Sequence, residues 1–267
     1  MKRVGWGLAI TALVLAAAAP TFRSDAGAAV AAAASQTAEE GSFRVRITQR
    51  SVPADGTAPV GILWSAEGLI DYRSGHGVLL LDMGVDGTGE LRLMGDTAFL
   101  QMEATALGGR SWMKLDLRED QVPPAIEPVN IGGNDVRPLL DALGGVAGGV
   151  ENLGPGHTGG VETIRYRGKV DLALAEERAE AGGKNVGLLS HQLGHEHLDL
   201  ETWIDPEGRA RRVVYYLPPL PSAPADATSA TLDIELFDFG VEVDVEAPPT
   251  SDVTVFGQLE ADQPRGA

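Results

Sequence analysis

Cysteine is absent from this chain of 267 residues. Disulfides, zinc–thiolate sites and thiol catalysis are therefore excluded. Basic residues are also few, with 21 Lys and Arg against 38 Asp and Glu, so the formal net charge is -17. A chain this acidic repels phosphate backbones and anionic bilayers, so we expect no nucleic acid among its partners.

Motifs for nucleophilic catalysis and phosphate binding are missing too: there is no G-x-S-x-G, no S-x-x-K and no P-loop. The stretch 154–159 does satisfy G-x-G-x-x-G, but a dinucleotide site needs a strand before this motif and a helix after it. A strand-like segment with Ile164 and Tyr166 follows instead. The pattern therefore favours a turn, and the sequence offers no argument for an enzyme.

Three of the five histidines lie within residues 191–197. On a strand, His195 and His197 would share a face and could ligate one divalent metal. The segment lacks the H-E-x-x-H spacing, because Gln192 takes the glutamate position and Gly194 interrupts a helix. A polar loop leading into a strand is the preferred interpretation.

Near the C-terminus, carboxylates alternate with valines over residues 241–246. Three carboxylates on one strand face are a possible calcium site, but a solvated outer face explains them as well. We expect no metal and no cofactor. The three carboxylates are Glu242, Asp244 and Glu246.

The sequence has one long apolar run, from Val4 to Pro20, directly after Lys2 and Arg3. This arrangement predicts a secretory signal, with small-residue cleavage sites after Ala28 or Ala34. An uncleaved membrane anchor is the alternative. Either way the folded part is expected outside the cytoplasm, secreted or bound to the envelope. The predicted organisation is signal and linker over 1–34, one domain over 35–260 and a disordered tail over 261–267.

The stretch from Glu196 to Pro218 predicts a β-hairpin. Apolar residues alternate with polar ones on both arms, and residues 205–208 (Asp-Pro-Glu-Gly) form a tight turn in which Gly208 takes a positive φ. An isolated hairpin is not stable in water, so it must belong to a larger antiparallel sheet.

Other segments supply that sheet. Ser42–Gln49 alternates cleanly, and over Pro59–Tyr72 strict alternation places Ile62 on the same side as Val60 and Trp64. Further strands are predicted at 76–84, 88–95, 96–103, 110–117, 161–170 and 230–245.

Two amphipathic stretches interrupt the strands. The first begins at an N-cap, Asn134–Asp135, and ends at Gly144–Gly145; the second spans Val170–Ala181. Residues 29–40 are alanine-rich and predict a linker or a short first helix. The apolar faces of these helices must pack against one face of the sheet. If the sheet curves, the enclosed space is either a packed core or a ligand cavity, since both use the same alternation.

Four stretches resemble the actinobacterial LppX/LprG-type lipoproteins, which are similar in fold to the carriers LolA and LolB. The stretches are NDVRPLLDAL from Asn134, GGVETIRYRGKVDL from Gly159, TWIDPEGRARRV from Thr202 and FGVEVDVEAPP from Phe239. They occur in the family's order, and the resemblance covers about residues 42–256.

The resemblance implies an α+β fold: a strongly bent antiparallel half-barrel sheet with helices over its concave face. It also implies an apolar cavity that holds acyl chains of envelope lipids or lipoglycans. The family's lipobox cysteine is missing, so a lipid anchor is not carried over. The candidate lining residues, each of which could instead belong to a packed core, are Val45, Ile47, Ile62, Trp64, Ile70, Leu139, Leu143, Ile164 and Tyr166.

Two functions of different classes follow. The first is a non-enzymatic lipid-binding protein that serves lipid transport, in which desolvation of acyl chains drives binding. The second is a sensor or interaction module of the same fold that regulates a membrane protein. Exchange of lipid between vesicles favours the first, and long-lived binding to one partner favours the second.

Overall fold

The computed structural model describes residues 25–53, 59–84, 87–102, 107, 109–117, 136–146, 148–178, 194–219 and 228–255. These residues form an open sheet of twelve strands and three helices. The fold is the predicted α+β half-barrel.

The strands are short to medium in length and are numbered in chain order. The first six are β1 (Ser42–Val52), β2 (Val60–Asp71), β3 (His76–Asp82), β4 (Thr88–Met94), β5 (Thr97–Gln101) and β6 (Trp112–Asp116). The other six are β7 (Glu151–Thr158), β8 (Val161–Asp171), β9 (His197–Ile204), β10 (Ala210–Leu217), β11 (Ser229–Phe237) and β12 (Val253–Val255).

The strand order is β12-β6-β5-β4-β3-β2-β1-β11-β10-β9-β8-β7. Two meanders, β1 to β6 and β7 to β11, therefore join where β1 pairs with β11 in the middle of the sheet. Neighbouring strands are antiparallel as predicted, with one exception that the sequence did not indicate: β12 pairs with β6 in parallel.

Strand β1 shows why the sheet has one apolar face. Phe43, Val45 and Ile47 are fully buried, whereas Arg44 and Arg46 project from the other side and pair with carboxylates. Alternate residues of a strand point to opposite faces, so the period-2 pattern sets the inner and outer faces of the sheet. The alternation predicted for Ser42–Gln49 is confirmed.

The β9–β10 hairpin is also confirmed. Gly208 has φ +86°, a conformation that favours glycine. The Asp205 carboxylate accepts hydrogen bonds from the backbone N–H groups of Glu207 and Arg209, at 3.1 and 2.9 Å. The turn is therefore held by a side chain as well as by its backbone conformation.

Helix α1 (Ala26–Glu39) begins at Asp25, whose carboxylate accepts a hydrogen bond of 3.1 Å from the Gly27 N–H. Val30 and Ala33 are buried, and the helix contacts β8, β9 and β10. The alanine-rich stretch is thus a helix of the core rather than a linker.

The two other helices differ from their predicted bounds within the described residues. Helix α2 (Arg137–Asp141) continues into a 3-10 turn at Ala142–Gly145 and has Val136 at its N-cap position, without a side-chain cap. The predicted cap at residues 134–135 lies outside the described residues. Helix α3 (Leu172–Arg178) starts two residues late because Val170 belongs to β8, and residues 179–181 are not described.

The glycine-rich stretch 154–159 is not a turn, and this prediction was wrong. Gly154–Thr158 lies in β7, and the reversal comes at Gly159 and Gly160, which have φ +58° and +81°. A register irregularity between Asn152 and Gly154 accommodates the glycine in the strand.

The C-terminal segment 241–249 leaves the sheet, which corrects the strand predicted to extend to Val245. Ser42 Oγ donates to the Val241 carbonyl at 2.5 Å, and Arg92 donates to the Glu246 carbonyl at 2.9 Å. The valines of this segment are half-buried and its carboxylates are exposed. It therefore crosses the outer face from β1 towards β6 before β12 begins.

Within the described ranges, no helix has the length and apolarity needed to cross a bilayer. The apolar run Val4–Pro20 and the predicted tail 261–267 lie outside those ranges.

Candidate functional site

The inner face of the sheet is the candidate site. Strand register places one row of paired inner residues across eight neighbouring strands, and side chains in such a row stand about 5 Å apart. The row consists of apolar or small residues. It runs through Tyr166, Thr202, Val213, Ile234, Ile47, Ala66, Leu81 and Gly89.

Six of the nine predicted lining residues are buried on the side where the helices lie. Four are on the inner face of the sheet, and two are on the helical segment that covers it. They are Val45, Ile47, Trp64, Ile70, Leu139 and Leu143.

Ile62 lies on the opposite face, which corrects its predicted position. Between Trp64 and Val60, strand β2 contains two register irregularities, so that Arg50 pairs with Ile62 rather than with Leu63. Each irregularity adds a residue to β2 and breaks strict alternation. Ile62 therefore shares the outer face with Arg50 and is 61% exposed.

Ile164 and Tyr166 lie on the inner face of β8, where Ile164 pairs with Ile204 and Tyr166 with Thr202. Ile164 is nevertheless 36% exposed, and Tyr166 is half-buried against the core. Burial raises the pKa of Tyr166, so its hydroxyl stays protonated at neutral pH. This end of the concave face is apolar and partly accessible.

Two hydrogen bonds attach helix α2 to the sheet. The buried Tyr215 hydroxyl on β10 donates to the Leu139 carbonyl, and the Tyr72 hydroxyl next to β2 donates to the Asp141 carboxylate. The covering segment is therefore fixed to both halves of the sheet. Its buried face, with Leu139 and Leu143, is directed at the sheet.

One polar residue on the concave face was missed by the sequence analysis. Gln49 is 6% exposed, and its carboxamide oxygen accepts a hydrogen bond from the Trp64 indole. It takes the next inward position after Ile47 on β1, paired with Leu232 of β11. The signal was present in the alternation, but Gln49 was treated there as the end of the strand.

The outer face has the opposite chemistry, with arginines and carboxylates in cross-strand pairs. The Glu201 side chain is 3% exposed and accepts hydrogen bonds from Arg167 at 2.8 Å and from Arg165 at 2.9 Å. Burial works to raise the pKa of Glu201, but the hydrogen bonds and charges of the two arginines outweigh it and hold the pKa below its usual range. Glu201 is therefore ionised and engaged, which suits a structural role rather than proton transfer.

Trp203, on the same face, lies between two guanidinium groups. Arg165 and Arg212 stand 5.1 and 4.7 Å from its ring. Arg212 also donates two hydrogen bonds to Asp233, at 2.8 and 2.6 Å. These two cations are already paired with an aromatic ring and with carboxylates, so neither guanidinium is left without a partner.

A groove of about 720 Å³ lies on this outer face near Ile62 and Leu80. Its cations are paired, because Arg46 contacts Glu67 at 2.9 Å and Arg50 contacts Asp233 at 3.7 Å. The lining has two arginines against three carboxylates, Glu67, Asp82 and Glu90, so its formal charge is -1. The groove thus presents exposed aliphatic side chains and has no excess positive charge for an anionic ligand.

The histidines that suggested a metal site do not share a strand face. His195 precedes β9, and its Nε2 lies 3.0 Å from the Pro219 carbonyl, whereas His197 Nδ1 lies 4.0 Å from Asp171. No cluster of three potential ligands occurs in the part of the chain that the structure describes. His191 is outside that part.

Comparison with known proteins gives matches among solved structures alone. No family model and no curated protein matches the chain. Mycobacterium tuberculosis lipoprotein LppX aligns with a TM-score of 0.50 at 13% identity, covering 82% of this chain and 99% of LppX. The chain has the LppX fold.

Two other solved structures are similar at lower scores. LprF from Mycobacterium bovis has a TM-score of 0.48 at 17% identity and covers 84% of this chain and 96% of its own. A LolA-superfamily protein from Nitrosomonas europaea has a TM-score of 0.31 at 9% identity, covering 82% and 94%. The likeness to LppX concerns fold; the function of this chain has to be argued from its own residues.

Proposed function

We propose that this protein is a non-enzymatic carrier that binds acyl chains of lipids or lipoglycans against its concave face, outside the cytoplasm. The observation that carries the proposal is the apolar inner row, which continues across eight strands from β8 to β4. The LppX-like fold and the resemblance of four sequence stretches to LppX/LprG-type lipoproteins support it.

The width of the sheet supports a ligand between sheet and helices. A barrel of about eight strands is just wide enough for its own side chains to fill the interior, and larger sheets need another filling. Here the sheet has twelve strands, and the described helices α1 and α3 make their main sheet contacts with β8, β9 and β10. On the other half, the inner side chains of β1 to β5 are mostly apolar and buried, among them Ile47, Leu79 and Leu91, so an acyl chain that lies along them takes the place of what covers them.

The chemistry of the face fits a chain rather than an ionic group. The inward positions of β1, β9, β10 and β11 carry no charged side chain. Each CH₂ group transferred from water to such a surface contributes about 0.8 kcal/mol, so a long chain binds without specific polar contacts. The charged groups of these strands face outward in pairs, which favours binding over acid–base chemistry.

Native mass spectrometry of protein purified from its own envelope tests the proposal. We expect added masses that organic solvent releases and that correspond to acylated lipids, and uptake of a fluorescent fatty acid by the delipidated protein. A ligand-free mass together with no fatty-acid uptake would overturn the carrier proposal.

A second assay separates transport from retention. Donor vesicles with a fluorescent diacyl lipid are mixed with unlabelled acceptor vesicles, with and without the protein. A carrier accelerates transfer in proportion to its concentration. A protein that takes up the lipid but leaves the transfer rate unchanged acts as a sensor of occupancy instead.

A further inference from the structure

Gln49 is an exception on an apolar surface. The inward residues of β1 before it are Phe43, Val45 and Ile47, all fully buried. Gln49 follows in the same alternation and is itself 6% exposed. A carboxamide at such a position must satisfy one acceptor and two donor hydrogens.

The Trp64 indole determines how this carboxamide is oriented. An indole N–H can only donate, so the atom that it contacts is the amide oxygen, Oε1, and the amide nitrogen is directed elsewhere. Within the described chain, Nε2 makes no hydrogen bond to another residue. Among the described residues, the fully enclosed side-chain atoms without a partner are the hydroxyl oxygens of Thr158 and Thr163, and Gln49 Nε2 is not one of them. The NH₂ group is therefore unpaired among the described residues and not fully enclosed, in a side chain that is 6% exposed.

The surroundings select the kind of acceptor. The arginines of β1 lie on the outer face, where Arg46 and Arg50 pair with carboxylates. The inner neighbours of Gln49 across the strands are Trp64 and Leu232. Because neither of these two neighbours is a cation, a charged carboxylate or phosphate is poorly solvated beside them, whereas a neutral carbonyl oxygen is a suitable partner for a neutral amide.

We propose that Gln49 is the polar specificity residue of the concave face and that its Nε2 donates a hydrogen bond to the ester carbonyl of an acylated ligand. The acyl chain then extends along the inward residues Ile47, Val45 and Phe43, and what buries them in this structure moves aside. Trp64 acts as a positioning residue, because its indole fixes the amide oxygen. This inference rests on the proposed lipid-binding function and adds the chemical class that the site prefers, an ester-linked acyl lipid.

The test compares two probes that differ at the carbonyl: 1,2-dioleoylglycerol, which is ester-linked, and 1,2-dioleylglycerol, the matching ether. Each displaces a fluorescent fatty acid from the delipidated full-length chain. One neutral hydrogen bond predicts a Kd about three- to tenfold lower for the ester in the wild type. Gln49→Met removes the donor at similar volume, so it should equalise the two Kd values by weakening the ester alone.

Thr48→Val is the matched control, since Thr48 is the preceding residue of β1 and faces outward. It should keep the wild-type ester preference. Equal affinities in the wild type, or a preference that persists in Gln49→Met, would overturn the role of Gln49 and leave the carrier proposal intact. Binding of neither probe would overturn the carrier proposal itself.

A second measurement does not depend on a variant that folds. The side-chain NH₂ signals of Gln49 in the ¹⁵N NMR spectrum of the wild type should shift when the ester is added, and not when the ether is added. Unchanged signals with saturating ester, or equal shifts with both probes, would contradict the proposal.

Discussion

The hydroxyl of Tyr215 donates its hydrogen bond to the backbone carbonyl of Leu139, which joins strand β10 to helix α2 in the interior. Tyr215 is fully buried, and burial raises its pKa far above the ordinary value. The hydroxyl therefore remains a protonated donor at neutral and mildly alkaline pH. The bond holds the helical cover at a fixed distance from the sheet.

Tyr215→Phe should lower the free energy of unfolding by about 1–3 kcal/mol, because the Leu139 carbonyl is left buried without its donor. Denaturant titration measures the loss. Tyr216→Phe is the matched control: Tyr216 is the next residue, faces outward and is 40% exposed, so solvent screens the interaction of its hydroxyl with Glu201 and its loss should stay below about 1 kcal/mol. Equal losses for both variants would show that the bond to α2 contributes nothing specific.

The buried Asp205 carboxylate should control the acid sensitivity of the β9–β10 turn. Burial works to raise the pKa of Asp205, but hydrogen bonds from Arg211 and from Arg209 outweigh it, so the pKa is lowered from 3.8. A carboxyl whose folded pKa is lowered stabilises the protein above its unfolded pKa, and this stabilisation is lost as the pH falls through the folded pKa. We expect the contribution of Asp205 to be complete at pH 7 and to decline below about pH 4.

Asp205→Asn should therefore cost about 1.5–3 kcal/mol at pH 7, the range for hydrogen bonds to charged groups. The difference from the wild type should shrink as the pH is lowered to about 2, in a series of denaturant titrations. Glu207→Gln is the control, because Glu207 also contacts Arg209 but is 60% exposed, and exposed pairs contribute little. A pH-independent difference for Asp205→Asn would contradict the electrostatic explanation.

Gly208 tests the backbone of the same turn. At φ +86° a β-branched side chain is strained, so Gly208→Val should lose about 1–3 kcal/mol of stability. Gly208→Asn should lose less, since asparagine tolerates positive φ. An added Cβ would meet the Gln36 side chain at 3.5 Å, an ordinary contact, so the loss reports conformation rather than collision. Equal stability of both variants and the wild type would contradict this.

Sequence patterns predicted the faces of β1 and of the β9–β10 hairpin because those strands alternate without interruption. They failed at Ile62, since the two irregularities of β2 arise from how it pairs with β1, and pairing is not visible in one segment. They also failed at Val241–Val245. There the alternation arises because the valines lie against the outer face of the sheet, while the segment itself is not a strand. Local periodicity reports which side is buried, and long-range partners decide what buries it.

The predicted signal cleavage can be refined by helix α1. Cleavage after Ala34 would remove Val30 and Ala33, which are buried in the core. Cleavage after Ala28 keeps both. We therefore expect the mature protein to begin at Ala29, which N-terminal sequencing of secreted material measures. A mature chain that starts at Ser35 and is as stable as one that starts at Ala29 would show that the first half of α1 is dispensable.

The corrected position of Ile62 supplies a matched pair of substitutions for the concave face. Ile47→Trp adds an indole on the inner face, and Ile62→Trp adds the same group on the outer face, where the residue is 61% exposed. If acyl chains occupy space beside Ile47, the inner indole fills that space. Ile47→Trp should then weaken fatty-acid uptake at least tenfold, about 1.4 kcal/mol, while the unfolding midpoint of the delipidated protein stays near that of the wild type.

A solid core predicts the reverse, because an indole forced into a filled interior costs about 1–3 kcal/mol of stability. Ile62→Trp should leave both uptake and stability unchanged, so it controls for effects of the added aromatic group itself. Fluorescence titration with a labelled fatty acid and denaturant unfolding measure the two quantities on the same samples. A destabilised Ile47→Trp variant, together with a wild type that takes up no fatty acid, would identify the concave side as a packed core and contradict the carrier function.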